Sequence, residues 1–251
     1  MNAYGMEGRV GIITGGTSGI GLACAALLTA DGAHVFLAGR SAKKGEAALQ
    51  KLQNRRGQAE YIQADVSTVE GCHRLAEAVA NRVGKIDFLV NSAGLYREQS
   101  IDNLTEKDYD EEMSANVKST IFLTKYCLPL FSDRQPAIVN IASDAALEGN
   151  YGCAVYAAAK GAVAAFTRAA ALDLAPRIRV NCICPGDVDT PLVEAQLKAG
   201  GYTREEMASV YPLGRIGKPE EIAHIICSVL SPQNGFMTGS ILSADGGLTA
   251  K

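Results

Sequence analysis

Tyr156-Ala-Ala-Ala-Lys160 sets a phenol and an ammonium four residues apart, a spacing that places both on one face of a helix. An unperturbed tyrosine titrates at about 10 and exchanges protons poorly near neutrality, but an adjacent positive charge stabilises its phenolate and makes it a usable acid and base. Pairs of this spacing also arise by chance, so this one needs companions. Ser143 stands thirteen residues earlier, after the apolar run Ala137 to Ile141, and its hydroxyl can hold the oxygen that the phenol protonates. His34, His73 and His224 are too far apart for a metal or a nucleophilic triad, and we read them as surface or packing residues. Seven cysteines, an odd number, are scattered at Cys24, Cys72, Cys127, Cys153, Cys182, Cys184 and Cys227, which is no disulfide framework. Cys182 and Cys184 share a strand face with no second ligand pair nearby, so packing is expected there and no metal site.

A second chemical signal lies near the start. Thr14-Gly-Gly-Thr-Ser-Gly-Ile-Gly21 follows the apolar run Val10 to Thr14 and opens an Ala- and Leu-rich helical stretch. Gly15, Gly19 and Gly21 permit a tight turn and close approach of backbone to a pyrophosphate. Thr17, Ser18 and Ile20 lie among them at the helix N-terminus, where N–H groups stabilise negative charge. The spacing is G-x-x-x-G-x-G, not the commoner G-x-G-x-x-G, so its weight comes from its position between strand and helix. About 20 residues further on, a dinucleotide fold reads the adenosine ribose. Here the second apolar run ends Leu37-Ala-Gly-Arg40-Ser41, with no carboxylate before Glu46. Arg40 can pair bidentately with a 2′-phosphate, so NADP(H) is expected over NAD(H), which stays open.

The elements that must position these groups alternate. Strands are expected at Val10 to Thr14, His34 to Ala38, Ala59 to Gln63, Phe88 to Asn91, Ala137 to Ile141, Arg179 to Ile183 and Ser240 to Ser243. Helices are expected at Ile20 to Ala30, Lys43 to Gln53, Val69 to Val83, Tyr109 to Phe131, Ala154 to Leu174 and Pro219 to Leu230. That rhythm implies a seven-stranded parallel sheet covered by helices on both faces, in one α/β domain over residues 1–251. Residues 187–217 break it and are read as a mobile flap over a substrate site. The 251 residues are 47% hydrophobic with a net charge of −3, a globular balance with no footprint for nucleic acid. No apolar run reaches the length of a membrane span and no signal peptide is evident, so a cytoplasmic protein is expected.

Together these pieces resemble the short-chain dehydrogenase/reductase family, in its single-domain branch of about this length. The resemblance spans nearly the whole chain and rests on an ordered set: Thr14 to Gly21, Asp65-Val66, Asn91-Ser-Ala93-Gly94, Asn116, Ser143 with Tyr156 and Lys160, Pro185-Gly186 to Thr190-Pro191, and Asp245-Gly-Gly247. Ala142 and Ser92 stand where the family often has a second serine and a second asparagine. The resemblance implies a Rossmann-like, doubly wound fold and hydride transfer between a nicotinamide and a ketone or secondary alcohol. It implies that Asp65 and Val66 flank the adenine, that Asn91, Ala93, Gly94, Pro185, Gly186, Val188 and Thr190 contact the cofactor, and that Lys160 binds the nicotinamide ribose. It implies that Asn116 supports a water that relays protons to Lys160, and that subunits pair through their long helices into a homotetramer. A small carbonyl or alcohol would bind among Tyr96, Asp144, Tyr151 and Asp187, with Glu98, Leu147 and Glu148 close by. Steroid, sugar, polyol and acyl substrates stay open. Arg134 and Arg177 resemble the carrier-docking residues of 3-oxoacyl carrier-protein reductases, one alternative; a noncatalytic dinucleotide sensor is another.

Overall fold

Strands that lie inside a parallel sheet are covered on both faces and so read as continuous apolar runs. In the computed structural model, which describes residues 3–250, β1 (Val10–Thr14), β2 (His34–Gly39), β3 (Gln58–Gln63), β4 (Phe88–Asn91), β5 (Ala137–Ile141), β6 (Arg179–Pro185) and β7 (Ile241–Ala244) form one sheet. Their order is β3-β2-β1-β4-β5-β6-β7 and every pairing is parallel. The helices are α1 (Gly19–Ala30), α2 (Ala42–Lys51), α3 (Val69–Val83), α4 (Glu106–Met113), α5 (Ser119–Cys127), α6 (Ala154–Leu174), α7 (Pro191–Ala199), α8 (Arg204–Ser209) and α9 (Pro219–Leu230).

Successive strand residues point to opposite faces, and the core divides accordingly. Ile13, Val35, Leu37, Phe88, Val90 and Val139 pack with residues of α1 and α9 on one face. Ile12, Phe36, Leu89 and Ile138 pack with Leu75 and Val79 of α3, Leu123 of α5 and Ala170 of α6 on the other. Because all strands run the same way, Thr14, Gly39, Asn91, Ile141 and Pro185 end on one edge. The strand order reverses between β1 and β4, and that is where a crevice opens in such sheets.

One expectation is corrected. The single helix expected over Tyr109 to Phe131 is α4, a π-turn at Ser114–Lys118, α5 and a 3-10 turn at Leu128–Leu130. The Asn116 amide donates to the Glu112 carbonyl, the acceptor that the backbone N–H of residue 116 would use in an α-helix, and Pro129 ends the run. The 187–217 stretch, read from sequence as a flap without assigned elements, carries α7 and α8. Pro191 in the first turn of α7 and the Thr203/Glu206 capping box of α8 are local signals for both.

A buried amide chain ties the sheet to the helices. The Asn91 amide donates to Asn140 Oδ1 at 2.8 Å and to Thr124 Oγ1 at 3.3 Å, and the Asn140 amide donates to Thr167 Oγ1 at 2.9 Å. It joins β4, β5, α5 and α6 directly below the crevice. Asn140→Ala leaves the Asn91 amide one acceptor short in a dry environment, so the variant is expected to lose about 1–3 kcal/mol. A urea unfolding curve should show a lower midpoint at unchanged slope.

Candidate active site

The crevice is a cavity of about 1350 Å3 along the carboxyl edge of the sheet. Its first wall is the turn between β1 and α1. Gly15 and Gly19 have φ of +63° and +51°, conformations that L side chains rarely adopt, and a Cβ on Gly21 would lie 2.5 Å from the Gly15 carbonyl oxygen. Thr14 Oγ1 accepts from the N–H groups of Ser92 and Ala93, both at 3.0 Å, which fastens this turn to the end of β4. Ser18 makes no side-chain cap, and Gly15, Thr17, Ser18, Gly19, Ile20 and Gly21 all line the cavity. Beyond β2 the wall continues with Arg40 and Lys44, and beyond β3 with Asp65 and Val66. One oxygen of Asp65 accepts from the Ser67 hydroxyl and N–H at 2.7 and 3.1 Å.

At the other end α6 brings in Tyr156 and Lys160. The Lys160 ammonium is buried, donates to the Ile141 carbonyl at 3.1 Å, and lies 5.5 Å from the centre of the Tyr156 ring. Gly94 lets it in, because a Cβ there would lie 2.8 Å from Asn116 Oδ1 and 3.4 Å from Lys160 Nζ. Asn116 sits inside the π-turn, where it accepts from the Leu95 N–H at 3.2 Å and donates to the Leu95 carbonyl at 2.8 Å. π-turns within helices are common at functional sites. Ser143 follows β5, stands close enough to Tyr156 to affect its titration, and donates to Asp144 Oδ1 at 2.6 Å. The Tyr96 ring packs edge-on against Tyr156 with centroids 4.9 Å apart, and its hydroxyl meets Cys153 Sγ at 3.3 Å.

Burial governs the charges. It raises the Tyr156 phenol above its ordinary value; the Ser143 hydroxyl opposes this, while Asp144 and Glu112 add to it. It lowers Lys160 to about 8 and raises Asp144 to about 6. The expectation that an adjacent ammonium holds Tyr156 below its ordinary value is therefore not met by the protein's own groups. Desolvation of the phenolate outweighs a single cation that is itself partly desolvated.

Of the residues expected from sequence to act in catalysis, to contact the cofactor or, for Tyr96, Asp144, Tyr151 and Asp187, to form the substrate pocket, all but Asn91 line the cavity. Asn91 ends β4 below it and its amide is engaged by Thr124 and Asn140, so it supports the floor. Tyr96, Asp144, Tyr151 and Asp187 lie around the Tyr156 end, with Tyr151 fully exposed at the mouth, while Leu147 and Glu148 lie outside the lining. Arg134 and Arg177 precede β5 and β6, so they stand at the opposite edge of the sheet, bound to Asp87 and to the Leu128 carbonyl. Residues missed from sequence include Glu112, Lys44, Tyr202 and Tyr211. Glu112 is buried one helical turn before Asn116, a spacing that could have revealed it. Tyr202 and Tyr211 come from the 187–217 stretch, where no periodicity pointed to them. Among the described residues no group of three or more His, Cys, Asp or Glu could hold a metal, and no helix is long and apolar enough to cross a membrane.

A family model described as enoyl-(acyl carrier protein) reductase matches residues 15–249. A 3-oxoacyl-[acyl-carrier-protein] reductase of Thermotoga maritima is 35% identical over 245 residues, covering 97% of this chain and 98% of the relative. The crystal structure of a short-chain dehydrogenase/reductase, glucose/ribitol dehydrogenase, from Brucella melitensis superimposes with a TM-score of 0.91 at 35% identity, covering 98% of both chains. The chain belongs to the short-chain dehydrogenase/reductase family. A cyclopentanol dehydrogenase of a Comamonas species is 32% identical, covering 96% of this chain and 97% of the relative. As a short-chain dehydrogenase/reductase, the protein is an oxidoreductase of alcohol and ketone groups using NAD(P)(H). Its phenol, ammonium and serine hydroxyl meet at one end of a cavity whose other end is a glycine cradle.

Proposed function

We propose that this is an NADP(H)-dependent enzyme that interconverts a ketone and a secondary alcohol, with Tyr156 as the proton donor and acceptor. The observation that carries the reading is the convergence of Tyr156, Lys160 and Ser143 on the cavity that the β1–α1 glycine turn opens at its far end. The lining fits a dinucleotide. The cradle at Gly15 and Gly21 has no room for side chains and faces the N-terminus of α1, where a pyrophosphate would be held. Arg40 and Lys44 would take a 2′-phosphate, and Asp65 and Val66 would flank the adenine. Ala93, Gly94, Pro185, Gly186, Val188 and Thr190 would wall the nicotinamide end, with Lys160 on its ribose. When bound, the cofactor supplies or takes the hydride.

In reduction Tyr156 gives its proton to the carbonyl oxygen as the carbon accepts the hydride; in oxidation its phenolate takes the alcohol proton. Lys160 stabilises that phenolate and Ser143 holds the oxygen. The substrate end presents the carboxylates of Glu98, Asp144 and Asp187 and the phenols of Tyr96 and Tyr202. Arg97, also there, is paired with Asp108 and Glu111. This wall favours a neutral, hydroxyl-bearing substrate over an anionic one. A second reading, a 3-oxoacyl carrier-protein reductase, is supported by the likeness to proteins of that name, although Arg134 and Arg177 face away from the cavity mouth. A screen of steroid, polyol, sugar and acyl-thioester substrates in both directions separates the two. Seven free, buried cysteines support a cytoplasmic location.

Tyr156→Phe keeps the ring and its packing and removes the exchangeable proton. Turnover should fall about 10²- to 10⁴-fold while cofactor titration by fluorescence stays unchanged. Turnover within a few-fold of wild type would transfer the role to another residue. Arg40→Ala should weaken NADP(H) by about 1–3 kcal/mol and leave NAD(H) nearly unaffected. A native preference for NAD(H) in kcat/KM would contradict the cofactor assignment. We further infer a homotetramer, supported by Leu172 of α6 and Phe236, large apolar side chains left exposed in the single chain. Sedimentation velocity at micromolar protein should show four subunits, and a monomer alone would refute this.

A further inference from the structure

Ser143 has one proton to give, and in the structure Asp144 takes it. The hydroxyl donates to Asp144 Oδ1 at 2.6 Å, and the same oxygen accepts from the Ala145 N–H at 2.8 Å. The Ala145 N–H also reaches Ser143 Oγ at 3.3 Å. A hydroxyl whose proton is committed to a carboxylate offers other groups only lone pairs, and a ketone oxygen also has only lone pairs. With Asp144 ionised, the serine that should hold the carbonyl therefore faces it with the wrong polarity, and Tyr156 is left as its sole donor. A protonated Asp144 reverses the chain. Its own O–H can donate to Ser143 Oγ, and the serine proton is then free to turn to the carbonyl oxygen.

We propose that Asp144 is a positioning residue that sets the direction of the Ser143 hydroxyl, turning it toward the substrate carbonyl as a carboxylic acid and away from it as a carboxylate. The proposal rests on the ketone/alcohol reading above. Asp144 makes no bond to the substrate and keeps its proton through turnover; the proton consumed in reduction comes from Tyr156.

The surroundings make both forms accessible. Asp144 is buried against the cavity, next to the Asp187 carboxylate from the loop after β6 and the Glu148 carboxylate from its own loop. Tyr156 from α6, Cys153 just before it, Cys184 from β6 and Tyr211 from beyond α8 complete the titratable groups that face it. Lys160, the cation of this region, has its ammonium on the Ile141 carbonyl and feels the Glu112 carboxylate of α4. Burial and the two like charges raise Asp144 to about 6, although hydrogen bonds from Ser143 and the Ala145 N–H pull the other way. As pH rises through that value the acid form is lost, so the reduction rate should fall. Burial also raises Asp187, which makes it the control.

Asp144→Asn removes the titration and keeps the carboxylate-like state. Its carbonyl oxygen takes the place of Oδ1, accepting from the Ala145 N–H and from the Ser143 hydroxyl, so the serine proton stays turned away from the substrate. With a cyclic ketone and saturating reduced cofactor, both phosphorylated and unphosphorylated forms being tried, wild-type kcat is expected to drop about tenfold from about pH 5 to about pH 8. Asp144→Asn should be flat across that range, at the slow rate that the wild type reaches at high pH. Asp187→Asn should keep the limb, moved to lower pH because a neighbouring negative charge is gone. Asp144→Ala, which removes the competing acceptor, should also lack the limb but stay at the fast low-pH rate, and it covers the case in which the asparagine variant does not fold. Thermal unfolding and cofactor fluorescence are read for every variant.

A limb that persists in a folded Asp144→Asn or Asp144→Ala protein overturns the proposal, as does a wild-type profile flat across the range. A folded Asp144→Asn protein that keeps the fast low-pH rate of the wild type overturns it too, since its serine proton stays committed to the amide oxygen. A wild type that reduces no ketone with either cofactor overturns the ketone/alcohol reading, and the Asp144 assignment with it.

Discussion

A buried ammonium must be surrounded by oxygen, and the site is arranged around that requirement at Lys160. The group is only 6% exposed, and the Ile141 carbonyl at the end of β5 accepts from it directly. Its other neighbours come from two more elements, Asn116 in the π-turn between α4 and α5 and the side-chain-free Gly94 after β4. Each of these departs from a local norm. The π-turn gives up regular helical bonding, Asn116 replaces a backbone donor with its side chain, and Gly94 has no Cβ to fill the gap. Such departures persist because together they let a cation sit 5.5 Å from a phenol in a water-poor place.

The same burial sets the titration behaviour of the whole centre. Asp144 is pushed up and Lys160 down, so these two are drawn toward neutral pH from both sides, while the Tyr156 phenol is pushed further up. The protein supplies more negative than positive charge here, with Asp144, Asp187 and Glu112 against Lys160. A cationic nicotinamide would find compensation in these carboxylates, and its charge would in turn favour the phenolate that forms beside it.

Support for this arrangement lies below the crevice and not in it. Asn91, Asn140 and Thr167 form a dry hydrogen-bonded chain from β4 through β5 to α6, so the strand that ends before Ser143 and the helix that carries Tyr156 are held by one network. The cofactor wall rests on strand ends and the turn after β1. The substrate wall draws instead on the connections after β4 and β5 and on the α7–α8 segment, where Tyr202 reaches Glu98 at 3.3 Å. Rigid elements thus carry the reacting groups, and connecting segments line the space where substrates differ.

Local physics made much of this readable in the chain itself. Parallel strands buried on both faces read as short apolar runs, a glycine turn between strand and helix reads as a phosphate cradle, and a four-residue spacing puts Tyr156 and Lys160 on one helix face. The resemblance to the family supplied the remaining catalytic and cofactor-contacting positions, and all of these but Asn91 line one cavity. What tertiary structure decided is everything that depends on burial or on contact between distant elements. Asn91 reads as a strand-end polar residue until β5 and α5 enclose it. The helix over Tyr109 to Phe131 reads as unbroken until Asn116 finds Leu95 in another segment. Ser143 and Asp144 are adjacent in sequence, yet the meaning of their hydrogen bond comes from the dry pocket that raises the carboxyl. Spacing reports which side chains share a face, whereas desolvation is a property of the assembled interior, and no local pattern encodes it.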